Sequence, residues 1–280
     1  MTDVIQARAH LMQQISDHVR NGYRWWISGT VPLARASAWA EKARTLYRTD
    51  EDRNRRARAR KLGRGSAYLL VYPLDRSIDT NRLGWLLLVT DGDHVAHRLE
   101  KLRRAEDHPV EIFGYTLVRE PRAQSASPVW TWRMNRESYH AWRERIIDAV
   151  RRGSEFDVRQ VLRTLQGAPG FSGIRGQVKA LHRLLRYEWA AARGKRSEPP
   201  GLPKIWYCRR MSIVSVSLPA YLRALAQKRR DAVVNAAESL NTVSRIEAAN
   251  ADLGQPVRRL RFELPSPDDG HMSSTSTCAA

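Results

Sequence analysis

The sequence predicts an α+β fold: an N-terminal ferredoxin-like (βαββαβ-type) sheet domain followed by a helical C-terminal region. Three observations predict it. Residues 23–134 contain five short runs rich in Val, Leu, Trp and Tyr, bounded by turn residues, which is the pattern of strands. Two of the intervals between those runs carry apolar residues at helical spacing. The order is then strand, helix, strand, strand, helix, strand, with one strand added. From residue 135 onward most of the apolar spacing is helical.

Each element has its own signal. In residues 1–22, Val4, Ile5, Ala9, Leu11, Met12, Ile15 and Val19 lie close to helical spacing and Asn21-Gly22 is a stop, so a leading amphipathic helix is expected. The segment 23–31, YRWWISGTV, is aromatic and alternating, as a strand is. Pro32 suits the first position of a helix, and Ala36, Trp39, Ala43, Leu46 and Tyr47 form its apolar stripe. SAYLLVYPL (66–74) and LGWLLLVT (83–90) are strands joined by a polar connection of hairpin character. Asp91-Gly92-Asp93-His94 breaks the second of them, and residues 95–104 read as a short helix. EIFGYTLVR (111–119) and VWTWRM (129–134) complete the strand set.

In a ferredoxin-like domain both helices cover one sheet face, and single-stranded RNA readers stack bases on the other. Arg24, Trp26 and Arg133 share one side by alternation and would suit such a platform. The competing reading packs the tryptophans into the core.

In the region 135–193, Asn135 is an N-cap, and Tyr139, Trp142, Ile146 and Val150 mark a buried stripe. Phe156, Val158, Val161, Leu162 and Leu165 outline a second helix. After the turn GAPGFSG comes a long helix, 174–193. It buries Ile174, Val178, Leu181, Leu185 and Trp189 and presents Arg175, Lys179, Arg183 and Arg186 on its other side. The pair reads either as a helix-turn-helix with an overlong turn or as a plain helical hairpin. The remainder, 194–262, supplies a linker, a strand-like stretch (205–216) and a helix (218–240). Residues 263–280 are expected to be a disordered tail.

The charge narrows the function. Lys and Arg number 48 against 29 Asp and Glu, a net charge of +19. Codon bias can favour Arg over Lys, but it does not create the surplus of base over acid. A folded body with that charge attracts polyanions, and guanidinium groups grip phosphate in two-pronged fashion. The densest basic run, RNRRARARKLGR (53–64), holds Arg53, Arg55, Arg56, Arg58, Arg60, Lys61 and Arg64 without an acid. It is read as a flexible basic loop lying along a phosphate backbone. With the cationic side of the helix 174–193, it forms the expected nucleic-acid-binding set.

Other classes find less in the sequence. No run approaches the roughly 20 apolar residues of a membrane span, and the N-terminus lacks a signal-peptide core, so a cytoplasmic protein is expected. Cys208 and Cys278 form no Cys-x-x-Cys pair, which argues against a thiolate zinc site or a disulfide scaffold. Asp91, Asp93, His94 and His97 are the densest set of metal-ligand types, but their spacing matches no metal motif and they read as a turn. No phosphate-loop or dinucleotide fingerprint is present; no metal or cofactor is expected, and no catalytic residue is assigned. The competing function is a nuclease or nicking enzyme, or an RNA-processing endonuclease, with a weak-signature site, and a third is a structural partner of an acidic protein. The oligomeric state is not legible.

The segments GYRWWISGTVP, LLLVTDGDHVAH and GFSGIRGQVKALHRLLRYEW, within about residues 20–210, are similar to those of uncharacterised proteins carried on proteobacterial integrative conjugative elements and plasmids. The resemblance brings no catalytic residue with it. It implies work in the replication, maintenance or transfer of element DNA, and hence DNA before RNA as the partner.

Overall fold

The computed structural model describes residues 2–74, 81–121, 127–152, 154–201, 207 and 215–252. The chain runs β1 (Asp3–Ile5), α1 (Arg8–Arg20), β2 (Trp25–Pro32), a 3-10 turn (Leu33–Arg35), α2 (Ala36–Tyr47), α3 (Arg53–Lys61), β3 (Ala67–Pro73), β4 (Arg82–Val89), α4 (Val95–Leu99) and β5 (Arg103–Arg104). It continues with β6 (Glu111–Ile112), β7 (Tyr115–Glu120), β8 (Val129–Met134), α5 (Arg136–Arg151), α6 (Glu155–Gln166), α7 (Ser172–Arg193), β9 (Ser215–Ser217) and α8 (Leu218–Asp252). The fold is mixed α+β with a mixed sheet.

The strands divide between two sheets. A six-stranded sheet has the order β5-β2-β4-β3-β1-β9, and a three-stranded sheet has the order β6-β7-β8. The single-sheet ferredoxin-like order expected from the sequence is therefore not the one observed. The runs around 111–119 and 129–134 do not join the first sheet, and β4 lies antiparallel between β2 and β3. β2 pairs with β4 from Trp25 opposite Val89 to Pro32 opposite Arg82. β1 is parallel to β3, with Val4 opposite Val71.

Burial explains why the six-stranded sheet offers no free face for bases among the described residues. In β4, Leu86, Leu87, Leu88 and Val89 are all buried, although successive strand residues point to opposite faces. Leu70, Leu86, Leu88 and Trp26 belong to the main core, shared with α1, the small sheet and α5 to α7. Leu87, Val89 and Ala67 pack on the other side with Ala96, while Val71 and Leu83 pack there with Ala36 and Ala40 of α2. A continuous apolar run signals a strand covered twice, whereas strict alternation signals one covered once. Trp26 is 7% exposed and donates Nε1–H to the His108 carbonyl at 2.8 Å. Arg24 pairs with Glu106 at 3.2 Å and Arg133 with Glu120 at 3.1 Å. The tryptophans are core residues, and the stacking platform is not formed.

Four other boundaries shift for local reasons. Val4 and Ile5 serve the sheet between β3 and β9, so the leading helix starts only at Arg8. The expected helix 95–104 stops at Leu99, and Arg103 and Arg104 form an edge strand opposite Trp26 and Trp25. The run 111–119 is a tight hairpin, turned by Phe113 (φ 52°) and Gly114 (φ 77°), both in the left-handed region. The basic stretch 53–64 is not a loop: its residues 53–61 are the helix α3. The strand-like stretch 205–216 is described at residue 207 and in β9, and the tail 263–280 lies outside the described residues.

The helical half follows the sequence closely. Asn135 caps α5 by accepting from the Ser138 N–H at 2.9 Å. Ile174, Val178, Leu181, Leu185 and Trp189 of α7 are all buried. α7 docks on β8, where Gln177 accepts from the Met134 N–H at 2.7 Å and donates to the Met134 carbonyl at 3.0 Å. Opposite, Trp132 donates Nε1–H to Met12 O at 2.9 Å and Ser16 Oγ at 2.7 Å, tying β8 to α1. The chain divides into two units, Met1–Ala224 and Leu225–Ala280, and the described part of the second is the α8 segment 225–252. No helix among the described residues is long and apolar enough to cross a membrane.

Candidate nucleic-acid interface

α3 forms because its ends are defined and its residues favour a helix. Asp52 is the N-cap and accepts from the Arg55 N–H at 2.8 Å. Arg and Ala are among the best helix formers. At the other end Gly63 is left-handed (φ 70°), and the Arg64 N–H reaches back to Ala59 O at 2.9 Å, closing the helix with glycine at its usual stop. The helix is amphipathic only weakly, because Arg56 substitutes for an apolar anchor. Its guanidinium lies 4.8 Å from the Tyr68 ring centroid and donates to the Thr49 carbonyl at 3.0 Å.

Around one side of α3 opens a groove of about 1210 Å³, bounded by α2, α3, the turn after it, and the start of α4. Lys42, Arg48, Arg55, Arg58, Arg64 and Arg98 reach it, and all six are exposed. The carboxylates there are Glu41, Glu51 and Asp93. Glu41 is committed to Arg44, which also bridges to Asp50 at 2.6 Å. Arg98 approaches Asp93 at 3.7 Å across exposed surface, a contact worth little in water. Leu46 and Leu62 add apolar patches, 36% and 61% exposed.

A compact framework holds these cations in place. Gly65 N–H donates to Asp93 O at 3.0 Å and Asp93 N–H donates to Gly63 O at 3.2 Å, which fixes Arg64 beside the 91–94 turn. Gly92 sits at φ 107°, where a Cβ would lie 2.7 Å from Gly63 O and 2.8 Å from Gly65 N. Gly92→Ala is therefore expected to destabilise the protein by about 2 kcal/mol, measured by urea unfolding; an unchanged midpoint would show that the turn yields.

His94, one of the residue types suited to metal binding, is consumed by this framework. Its Nδ1 accepts from the Ala96 N–H at 3.2 Å and caps α4, so Nε2 carries the proton and donates to the Tyr47 carbonyl at 3.2 Å. Burial lowers its pKa and keeps it neutral. His97 Nε2 lies 3.0 Å from Thr90 O, and its ring meets Trp25 edge-on. Asp91 accepts the Trp25 Nε1–H at 2.8 Å. Tyr47 hydrogen-bonds Glu100; burial, with Glu100 adding to it, raises the phenol pKa. Among the described residues no three His, Cys, Asp or Glu side chains gather as a metal site.

The remaining predicted residues separate. Arg53, Arg56 and Arg60 face the opposite side of α3 from Arg55 and Arg58, while Lys61 is exposed at its end. On α7, Lys179, Arg183 and Arg186 are exposed, but Arg175 packs over the Tyr207 ring at 3.3 Å from its centroid. The first turn of α7, the part a recognition helix would insert, is docked on β8. The Gly173 N–H donates to Thr131 Oγ1 at 3.2 Å, and a Cβ there would stand 2.6 Å from Trp132 O.

Lys42 and Arg48 belong to the same basic stretch in the sequence but, like Arg98, lie outside the expected binding set; the fold brings all three to one side of α3. Asp52 and Gly63 were the available signals that the run is a helix. Compared with protein-family models, curated proteins and solved structures, the chain matches none.

Proposed function

We propose that the protein binds nucleic acid through the groove beside α3, and that it acts on mobile-element DNA in replication, maintenance or transfer. The observation that carries the first part is convergence. Six exposed cations from α2, α3, α4 and the turns between them reach one concave surface, where Glu41, Glu51 and Asp93 are the carboxylates among the described residues; Arg55 also approaches Asp52 at 3.8 Å across exposed surface. Phosphates of a strand would lie along Arg55, Arg58 and Arg64. A concave, cation-rich surface raises the local concentration of a polyanion. Lys179, Arg183 and Arg186 of α7 supply a second row of phosphate ligands. The second part, and with it DNA over RNA, rests on the likeness of three segments to proteins of integrative elements and plasmids. A nuclease reading gains little from the 91–97 segment, where both His94 nitrogens and His97 Nε2 are taken up by Tyr47, Ala96 and Thr90.

The test is binding of a labelled oligonucleotide across a salt series. Affinity is expected to fall steeply with salt. The double variant Arg55→Ala, Arg58→Ala should weaken binding roughly tenfold or more and reduce the slope of log K against log[salt] by about 2. A slope equal to the parent's would remove the groove from the interface.

A further inference from the structure

The far side of α3 carries a second cationic surface with a different shape. Arg53, Arg56 and Arg60, spaced i, i+3 and i+7, border a cleft of about 280 Å³ that His18, Asn21 and Tyr23 complete from the end of α1. No carboxylate among the described residues lines it. Among the described residues, the Arg53 and Arg60 side chains have neither an ion pair nor a hydrogen bond. Arg56 is fixed over Tyr68 and by Thr49, yet its Nε is buried without an acceptor. The His18 ring is held at 3.9 Å from Tyr68 and edge-on to Tyr23 at 5.2 Å, and its nitrogens have no partner among the described residues.

Three guanidinium groups on one helix face repel one another, and nothing in the cleft offsets that repulsion. A buried Nε–H without an acceptor adds an unmet donor. Donors of one charge sign, an amide from Asn21 and an imidazole around a small concavity are complementary to a compact anion. The volume falls just under the roughly 300–1,000 Å³ of small-molecule sites, so the cleft suits a group at the end of a ligand rather than a strand passing through.

We propose that this cleft is a pocket for a phosphate monoester, with Arg53, Arg56 and Arg60 as its ligands and Asn21 and His18 closing it. A monoester ends in the cleft and brings up to two negative charges, whereas a backbone diester must enter and leave. The natural bearer of that chemistry beside a nucleic-acid groove is a 5′-terminal phosphate. The choice of a 5′-terminal phosphate rests on the groove reading, but the pocket uses none of the groove's residues, so pocket and groove are tested separately.

His18 is the built-in reporter. The charged and titratable groups facing it are Arg56 from α3, Asp17 from its own helix, and the phenols of Tyr23 and Tyr68. Its pKa is lowered to about 4, by burial first and Arg56 second, against an opposing effect of Asp17. An anion seated beside it favours the imidazolium and raises that value.

The experiment follows the His18 ring by NMR in the full chain, from pH 7 down to about 4.5, with and without inorganic phosphate. In parallel, affinities are compared for one oligonucleotide bearing a 5′-phosphate or a 5′-hydroxyl. Phosphate is expected to raise the His18 pKa by about one unit or more, and the 5′-phosphate to tighten binding roughly tenfold. Arg60→Ala should remove both effects while its thermal midpoint stays that of the parent. A His18 response to phosphate without a gain from the 5′-phosphate assigns the pocket to a free phosphate or mononucleotide. An unmoved His18 and equal oligonucleotide affinities overturn the pocket, and leave the groove standing if both oligonucleotides bind. A His18 response when neither oligonucleotide binds sinks the groove and keeps the pocket.

Discussion

Trp132→Ala should destabilise the protein by about 4 kcal/mol, within the range for deleting a large buried aromatic. The indole is fully buried at the centre of β8. Its removal leaves a cavity bounded by α1 and the helical layer, because neighbours in a close-packed interior relax only partly. It also strips Ser16 Oγ and the Met12 carbonyl of a donor, although Ser16 itself donates to Met12 O at 2.8 Å and so retains one bond. Against a total stability of about 5–15 kcal/mol, that loss is a large part of the whole. Trp132→Phe separates the two contributions: it keeps most of the volume and loses the N–H, so it should cost about 1–2 kcal/mol. Urea unfolding of both variants beside Arg159→Ala, an exposed residue of α6, provides the scale. If Trp132→Ala falls no further than the surface variant, β8 does not anchor α1.

The same residue shows what the sequence made legible and what it hid. Trp130, Trp132 and Met134 alternate with Thr131 and Arg133, so strand and inward side were readable from period alone. The stripe on α7 was equally clear, because 3.6-residue spacing over 22 residues has few alternatives. Which sheet a strand joins is a different kind of information. Segments 111–119 and 129–134 look like any other strands; their separate sheet follows from the tight turn at Phe113-Gly114 and from long-range packing with α1 and α7. The side-by-side Leu residues of β4 are the sign in the sequence that both sheet faces are covered, and they outweigh the aromatic alternation that suggests a free face.

The basic run illustrates the opposite error. With no apolar residue between Arg53 and Lys61 other than two alanines, periodicity is silent, and by periodicity alone the run resembles a loop. Capping chemistry was the better guide: Asp52 before the run and Gly63 after it bracket a helix of strong formers. The consequence for function is large. A loop could present all seven cations to one strand, whereas a helix sends Arg55 and Arg58 to one side and Arg53, Arg56 and Arg60 to the other. Residue identity was visible in the chain; the division of labour was set by a 100° rotation per residue.

His18 makes the folded state sensitive to mild acid. With a folded pKa of about 4 against an ordinary value of 6.5, the unfolded chain takes up a proton in the interval where the folded protein does not. Stability therefore rises with pH through that interval, is fully present above about pH 6.5, and is lost as the pH falls toward 4. The loss from this one group is about 2–3 kcal/mol, with allowance for the water that still reaches the ring. Burial also lowers His94 and His182, which contribute with the same sign, so the parent's pH profile sums several groups. His18→Phe isolates one of them: it preserves a ring against Tyr68 and Tyr23 and cannot titrate. The variant should match the parent more closely, or exceed it, as the pH drops from about 6.5 to 4.5, with the gap between their unfolding free energies shifting by the amount above. Parallel profiles over that range would show that His18 keeps an ordinary pKa, and that Arg56 and the surrounding apolar packing do not hold it neutral.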